Sequence, residues 1–190
     1  ELIAPLPKET FKSYMDSIKY LVDSGVDQVT NYTLQMNYGT VYKDPFYKKK
    51  YDYQTFFRPY ANCFGIYDGD IVTEAEEVGV ATDTLSIEEY VDIREYSFLI
   101  EIIYNSGLFV EVFDLLRENS VDASTFLEHL FKRLQAEDCA VRESFQAFRD
   151  ETVAELFESE EHVFSFFKNK GRYDDLIQGK IGRNVIFSHT

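Results

Sequence analysis

The segment from residue 11 to residue 22 constrains this chain most, because its apolar residues recur at a single period. Phe11, Tyr14, Met15, Ile18, Leu21 and Val22 fall at the i, i+3, i+4, i+7 spacing of one buried helical face. Thr10 stands where an N-cap is wanted, and Gly25 where the chain leaves a helix in a left-handed conformation. Residues 2–5 before the helix and 28–34 (QVTNYTL) after it read as strands, the second rich in β-branched and aromatic residues. Strand, helix and strand in that order make a βαβ unit, with parallel strands and a right-handed crossover.

The rest of the chain is built differently. Residues 1–60 carry 8 basic and 7 acidic groups, a net of +1, while residues 61–190 carry 11 and 27, a net of −16. The shift places a structural boundary near residue 60. Residues 41–60 (VYKDPFYKKKYDYQTFFRPY) are aromatic and basic, and read as a short amphipathic helix with its lysines in solvent; interleaved Lys and Tyr also fit an RNA-stacking surface. Strands are expected at 64–67 and 72–82, joined in a hairpin by Asp68-Gly69-Asp70. Beyond residue 85 the pattern is helical. Ser86 and Glu89 form a capping-box signature, and Tyr90, Ile93, Ser97, Ile100 and Tyr104 follow on one side of a helix reaching about residue 105. Further helices are expected at 109–118, after the cap Asp122, and from 137, continuous or broken, to about 168, with a last short strand at 184–188.

Function classes narrow by chemistry. A formal charge of −15 repels phosphate and argues against general nucleic-acid binding. Cys63 and Cys139 are far apart without C-x-x-C spacing, and read as reduced thiols; two cysteines alone hold neither zinc nor an iron–sulfur cluster. No apolar run approaches the roughly 20 residues of a membrane span, and no signal peptide precedes the first strand, so a soluble, cytoplasmic protein is expected. His129, His162 and His189 sit outside any H-E-x-x-H pattern and read as surface or packing residues. The acidic groups Glu74/Glu76/Glu77, Glu88/Glu89 and Glu158/Glu160/Glu161 read as solvated faces. Walker loops, G-x-G-x-x-G and G-x-S-x-G are all lacking.

One stretch lies where α/β proteins place their sites. APLPKET, residues 4–10, leaves the C-terminal end of a parallel strand for a helix. Its prolines fix φ and remove donors, and Glu9 and Thr10 stand at the helix start, where a carboxylate and a capping hydroxyl are favoured. A rigid turn with a good cap accounts for the same residues.

This stretch resembles the run strand-G-L-P-G-E-T-helix of the radical S-adenosylmethionine barrel, most closely in members with an N-terminal cobalamin-binding domain. Leu6, Pro7, Glu9 and Thr10 match that motif, and Gly39 and Thr40 match a P-G-T-like turn some thirty residues on. Pro5 and Lys8 stand where the family has glycines, and Tyr38 where it has proline. EAEEVGVATDTLSIEEYVDIREY, residues 74–96, is similar to a C-terminal extension in which an acidic strand ends in a T-x-T-(L/M)-S turn before a helix. The cluster motif C-x-x-x-C-x-x-C does not occur in the chain.

The expected fold is therefore α/β, a partial (β/α) barrel (residues 1–60), followed by a hairpin and a mainly helical C-terminal region (residues 61–190). The resemblance implies the C-terminal part of an enzyme, an oxidoreductase or methyltransferase, whose cofactors are S-adenosylmethionine, a 4Fe–4S cluster and, in the cobalamin-type members, cobalamin. This part binds no cluster alone, is inactive alone, and supplies a cofactor-pocket wall at Leu6, Pro7, Glu9 and Thr10 and a substrate lid. Its expected partners are the preceding part of its own polypeptide, cut away before residue 1, a small-molecule substrate, and a second copy in a homodimer; neither nucleic acid nor membrane is among them. The alternative is a non-enzymatic acidic α+β interaction module.

Overall fold

A computed structural model describes residues 1–136 and 140–182. Cys139, His189 and the strand expected at 184–188 lie outside the described residues. The fold is mixed α/β with small sheets, and no barrel forms among the described residues.

Strand β1 (Leu2–Ala4), helix α1 (Phe11–Asp23) and strand β2 (Asn31–Thr33) form the βαβ unit. β1 and β2 are parallel, in register from Leu2↔Asn31 to Ala4↔Thr33. Helix α1 starts at Thr10 because Thr10 Oγ1 accepts the Ser13 N–H while Ser13 Oγ accepts the Thr10 N–H. It buries Tyr14, Ile18 and Val22 against one face of the sheet. The other face stays open, with Ile3 43% and Tyr32 49% exposed.

Residues 41–60 do not make one amphipathic helix. A 3₁₀ turn at Val41–Lys43 leads into α2 (Pro45–Lys50), capped by Asp44, and strand β3 (Gln54–Tyr67) follows. β3 pairs antiparallel with β4 (Asp70–Ala81) across Asp68 and Gly69, both at positive φ. The charge boundary near residue 60 falls inside β3. Between Pro59↔Ala75 and Phe64↔Thr73, β3 has four residues where β4 has only Glu74, so three extra residues bulge out of β3. Asn62 turns the bulge with φ 60°, a conformation asparagine tolerates better than most residues. Beyond β2 the chain runs beside β4: the Met36 N–H donates to Glu77 O (2.8 Å) and the Gly79 N–H to Leu34 O (2.9 Å). The two sheets therefore touch at Gln35↔Val78, in the order β1-β2-β4-β3.

Helix α3 (Ile87–Leu99), started by the Ser86/Glu89 capping box, continues as a π-helical turn over Ile100–Asn105. It is not one-sided. Val91, Arg94, Glu95 and Phe98 are buried as well as Tyr90, Ile93 and Ser97, because β4, α1, α5 and α6 surround it. Helices α4 (Val110–Glu118), α5 (Ala123–Ala136) and α6 (Ala140–Ala154) complete this main core, where Phe98 stacks on Phe148 at 4.3 Å. Of the two forms expected up to 168, the broken one occurs, with the break at Phe157, which pairs with Phe57 of β3 through two backbone hydrogen bonds (2.8 and 2.7 Å). Helices α7 (Glu160–Phe167) and α8 (Lys170–Ile177) then pack a second, smaller core with Phe57 and Phe64 of the hairpin. No helix among the described residues is long and apolar enough to cross a membrane.

Candidate functional site

Leu6, Pro7, Glu9 and Thr10 lie together on the loop that leaves the C-terminal end of β1. The loop is tied down from within. The Leu6 N–H donates to Glu9 Oε2 (3.0 Å), and Thr10 caps α1. Burial pushes the Glu9 carboxyl above its ordinary value, against the opposing effect of the Leu6 N–H. The loop is also tied from outside: Tyr53 OH donates to Pro5 O (3.1 Å), the Lys8 ammonium pairs with Asp83, and Thr84 Oγ1 donates to Glu9 O (2.6 Å). The Glu9 and Thr10 side chains are thus engaged in holding the turn, whereas Leu6 and Pro7 present half-buried apolar surface.

Two glycine-like positions stand out. Lys8 adopts φ 65°, the left-handed region that favours glycine, at a position where the resembled motif has glycine. Gly39 of the later turn has φ 84°, and Thr40 closes that turn with its hydroxyl on Asn37 O (2.7 Å).

Two acidic expectations are corrected. Glu76 and Glu77 are not on a solvated face. Glu76 Oε1 accepts Arg58 Nε (2.5 Å), with both side chains buried. Glu77 accepts Lys43 (2.7 Å), Lys48 (2.5 Å) and Thr55 (2.6 Å), so these two lysines face the hairpin rather than solvent. Burial pushes the Glu77 carboxyl up, but the three donors outweigh it and hold it below the usual carboxylate range. His129 bonds to Thr125 O of its own helix (2.8 Å), and His162 packs edge-on against Phe157.

A cavity of about 640 Å³ opens between β2 and the β3 bulge. Sequence reasoning did not foresee it. Its lining combines Asn31, Thr33 and Tyr32 of β2, Arg58 and Tyr60 of β3, and Arg94 of α3. Leu6, Pro7, Glu9 and Thr10 do not line it, while Thr40 does. Burial pushes the Arg94 guanidinium below its ordinary value, and the like charge of Arg58 adds to that effect. The one sequence signal for this site is Arg58 between Phe57 and Pro59, a charge inside an apolar run.

A 4Fe–4S cluster needs three or four cysteine ligands, and this chain has two cysteines, so its residues do not hold one. No group of three or more His, Cys, Asp or Glu among the described residues is placed to hold a metal ion. No family model matches the chain, and no curated protein sequence does.

Proposed function

We propose that the chain is the C-terminal part of a radical S-adenosylmethionine enzyme of the cobalamin-binding type, contributing an apolar wall of the cofactor pocket and a helical cover over the substrate. One observation carries this reading. The two segments that resemble the family, APLPKET and the TDTLS turn, are 75 residues apart and bond to each other through Thr84 to Glu9 and Lys8 to Asp83. The left-handed Lys8 supports it, since the motif's glycine would suit that backbone. The open face of β1 and β2, carrying Ile3 and Tyr32, is the face that would look into a completed barrel.

In this reading Leu6 and Pro7 form the wall, and Glu9 and Thr10 hold the loop that presents them. In enzymes of that family the reduced cluster cleaves S-adenosylmethionine to a 5′-deoxyadenosyl radical. The cluster ligands lie outside this chain, and no step of that reaction is assigned to its residues. The test is to produce the complete polypeptide that contains these residues, without oxygen, and to measure 5′-deoxyadenosine formed from S-adenosylmethionine under a reductant. The complete polypeptide should form it and residues 1–190 alone should not. A complete polypeptide without C-x-x-x-C-x-x-C ahead of residue 1, or one forming no 5′-deoxyadenosine, returns the chain to the reading of an acidic interaction module.

A further inference from the structure

The cavity between β2 and the β3 bulge has features of a built site that the loop reading does not use. β2 is bordered by β1 on one side, and on the other β4 reaches the same stretch only at Gln35. The three-residue bulge carries Tyr60 across from that open edge. Its volume of about 640 Å³ falls within the range of small-molecule sites, roughly 300–1,000 Å³.

The polar lining is mixed, with the Glu76 carboxylate and the side chains of Thr33, Gln35, Asn37 and Thr40 beside Asn31, Arg58 and Arg94. Two of these residues keep donor hydrogens unused. Asn31 is only 5% exposed, and its Oδ1 accepts the buried Tyr14 hydroxyl (2.8 Å), which orients the amide so that Nδ2 is left with two hydrogens to donate. That Nδ2 makes no hydrogen bond among the described residues. Arg58, 7% exposed, uses Nε for Glu76. Its two Nη groups make no further hydrogen bond among the described residues. Both donors are open to the cavity rather than sealed from solvent, so an acceptor bound there can replace water on them. A guanidinium and a primary amide in one cavity supply the kind of donors that the two oxygens of a carboxylate accept.

Charge decides between anions. Glu76 already neutralises Arg58, and a dianion such as phosphate would face the Glu76 carboxylate across the guanidinium. A single negative charge suits the pair better. Tyr32, Tyr42 and Tyr60 also line the cavity, and three aromatic residues in one lining suit a flat apolar body. We propose that this cavity binds a small aromatic monocarboxylate, its carboxylate on Arg58 and Asn31 and its ring among the three tyrosines. The cavity shares Ile3 and Tyr32 with the face that the radical-enzyme reading turns into a barrel. Binding is measured on the 190-residue chain and 5′-deoxyadenosine on the complete polypeptide, so failure of one is distinguishable from failure of the other.

The experiment is a ¹H–¹⁵N NMR titration of the 190-residue chain with benzoate and indole-3-carboxylate, with benzamide and inorganic phosphate as controls. Saturable shifts confined to residues 31–35, 58–63 and their neighbours are expected with the two carboxylates, at least tenfold tighter than with benzamide or phosphate. Asn31→Asp keeps the acceptor for Tyr14 but replaces the donating amide by a negative charge. It should weaken benzoate at least tenfold while circular dichroism shows the fold unchanged. If that variant unfolds, Tyr60→Ala on the exposed bulge is the second readout, and should weaken indole-3-carboxylate more than benzoate. Equal binding of benzamide, tighter binding of phosphate, shifts elsewhere, no shifts at all, or unchanged affinity in the folded variants each overturn the proposal.

Discussion

Lys8 holds a backbone conformation made for another residue. Its φ of 65° places Cβ against the following carbonyl, at a cost of roughly 1–2 kcal/mol relative to glycine. The compensation is an exposed ion pair with Asp83, of the kind that contributes about 0.2–1 kcal/mol. Lys8→Gly should therefore raise stability by about 0.5–1 kcal/mol, whereas Lys8→Ala keeps the Cβ, loses the ion pair and should lower it. Paired urea titrations of the three proteins check the signs; a destabilised glycine variant would mean that the ion pair outweighs the backbone. The loop around Lys8 was legible in the sequence because every cue is local: two prolines, a capping threonine and a helical period. The cavity was not. Asn31, Arg58 and Arg94 come from three elements, and nothing within a few residues of any of them announces the other two.

At the scale of elements the same division holds. Helices α1 and α3 could be read from Thr10 and Ser86, whose caps bond within three residues. Strand β3 was only half legible: residues 64–67 read as strand, whereas residues 54–63 contain a proline and a charge and become strand only through pairing with β4. The break at Phe157 has the same origin, a partner one hundred residues away at Phe57. Glu77 shows how one side chain fixes an element: its three bonds hold the 3₁₀ turn and α2 on the hairpin. Glu77→Gln should cost about 2 kcal/mol near neutral pH. Because the folded carboxyl lies below its ordinary value, that contribution is complete above the usual carboxylate range and disappears as pH falls through the lowered folded value. Wild type and variant should therefore converge in acid, and a constant gap across pH would contradict the assignment. Gly79, two residues further along β4, is required for a different reason. A Cβ there would lie 2.7 Å from Cε of the buried Met36 and 3.3 Å from the Tyr53 ring. Gly79→Ala should lower stability by about 1 kcal/mol. Trimming the opposing side chain with Met36→Val should make the double variant less costly than the sum of the two, measured by thermal unfolding.

Across the whole molecule, two cores of unequal size share one hairpin. The larger runs from Ala4 and Tyr14 through α3 to Phe145 and Phe148; the smaller consists of Phe157, Val163, Phe167 and Leu176 against Phe57 and Phe64. A long hairpin whose base, at Val78 and Val80, belongs to the first core and whose far half belongs to the second is a natural place for partial unfolding. The smaller core contains fewer buried groups, so α7 and α8 should open at lower free energy than α1 and α3. Amide hydrogen exchange should show protection in α7 and α8 lost first, together with residues 64–73 of the hairpin. Phe167→Ala, which removes a fully buried ring and in comparable cores costs about 3–5 kcal/mol, should release that unit while the amides of α1 and α3 remain protected. Phe98→Ala, at the stacked pair in the main core, should instead lower protection everywhere. If Phe167→Ala exposes all amides together, the two cores form one cooperative unit, and the hairpin transmits stability along its length rather than dividing it.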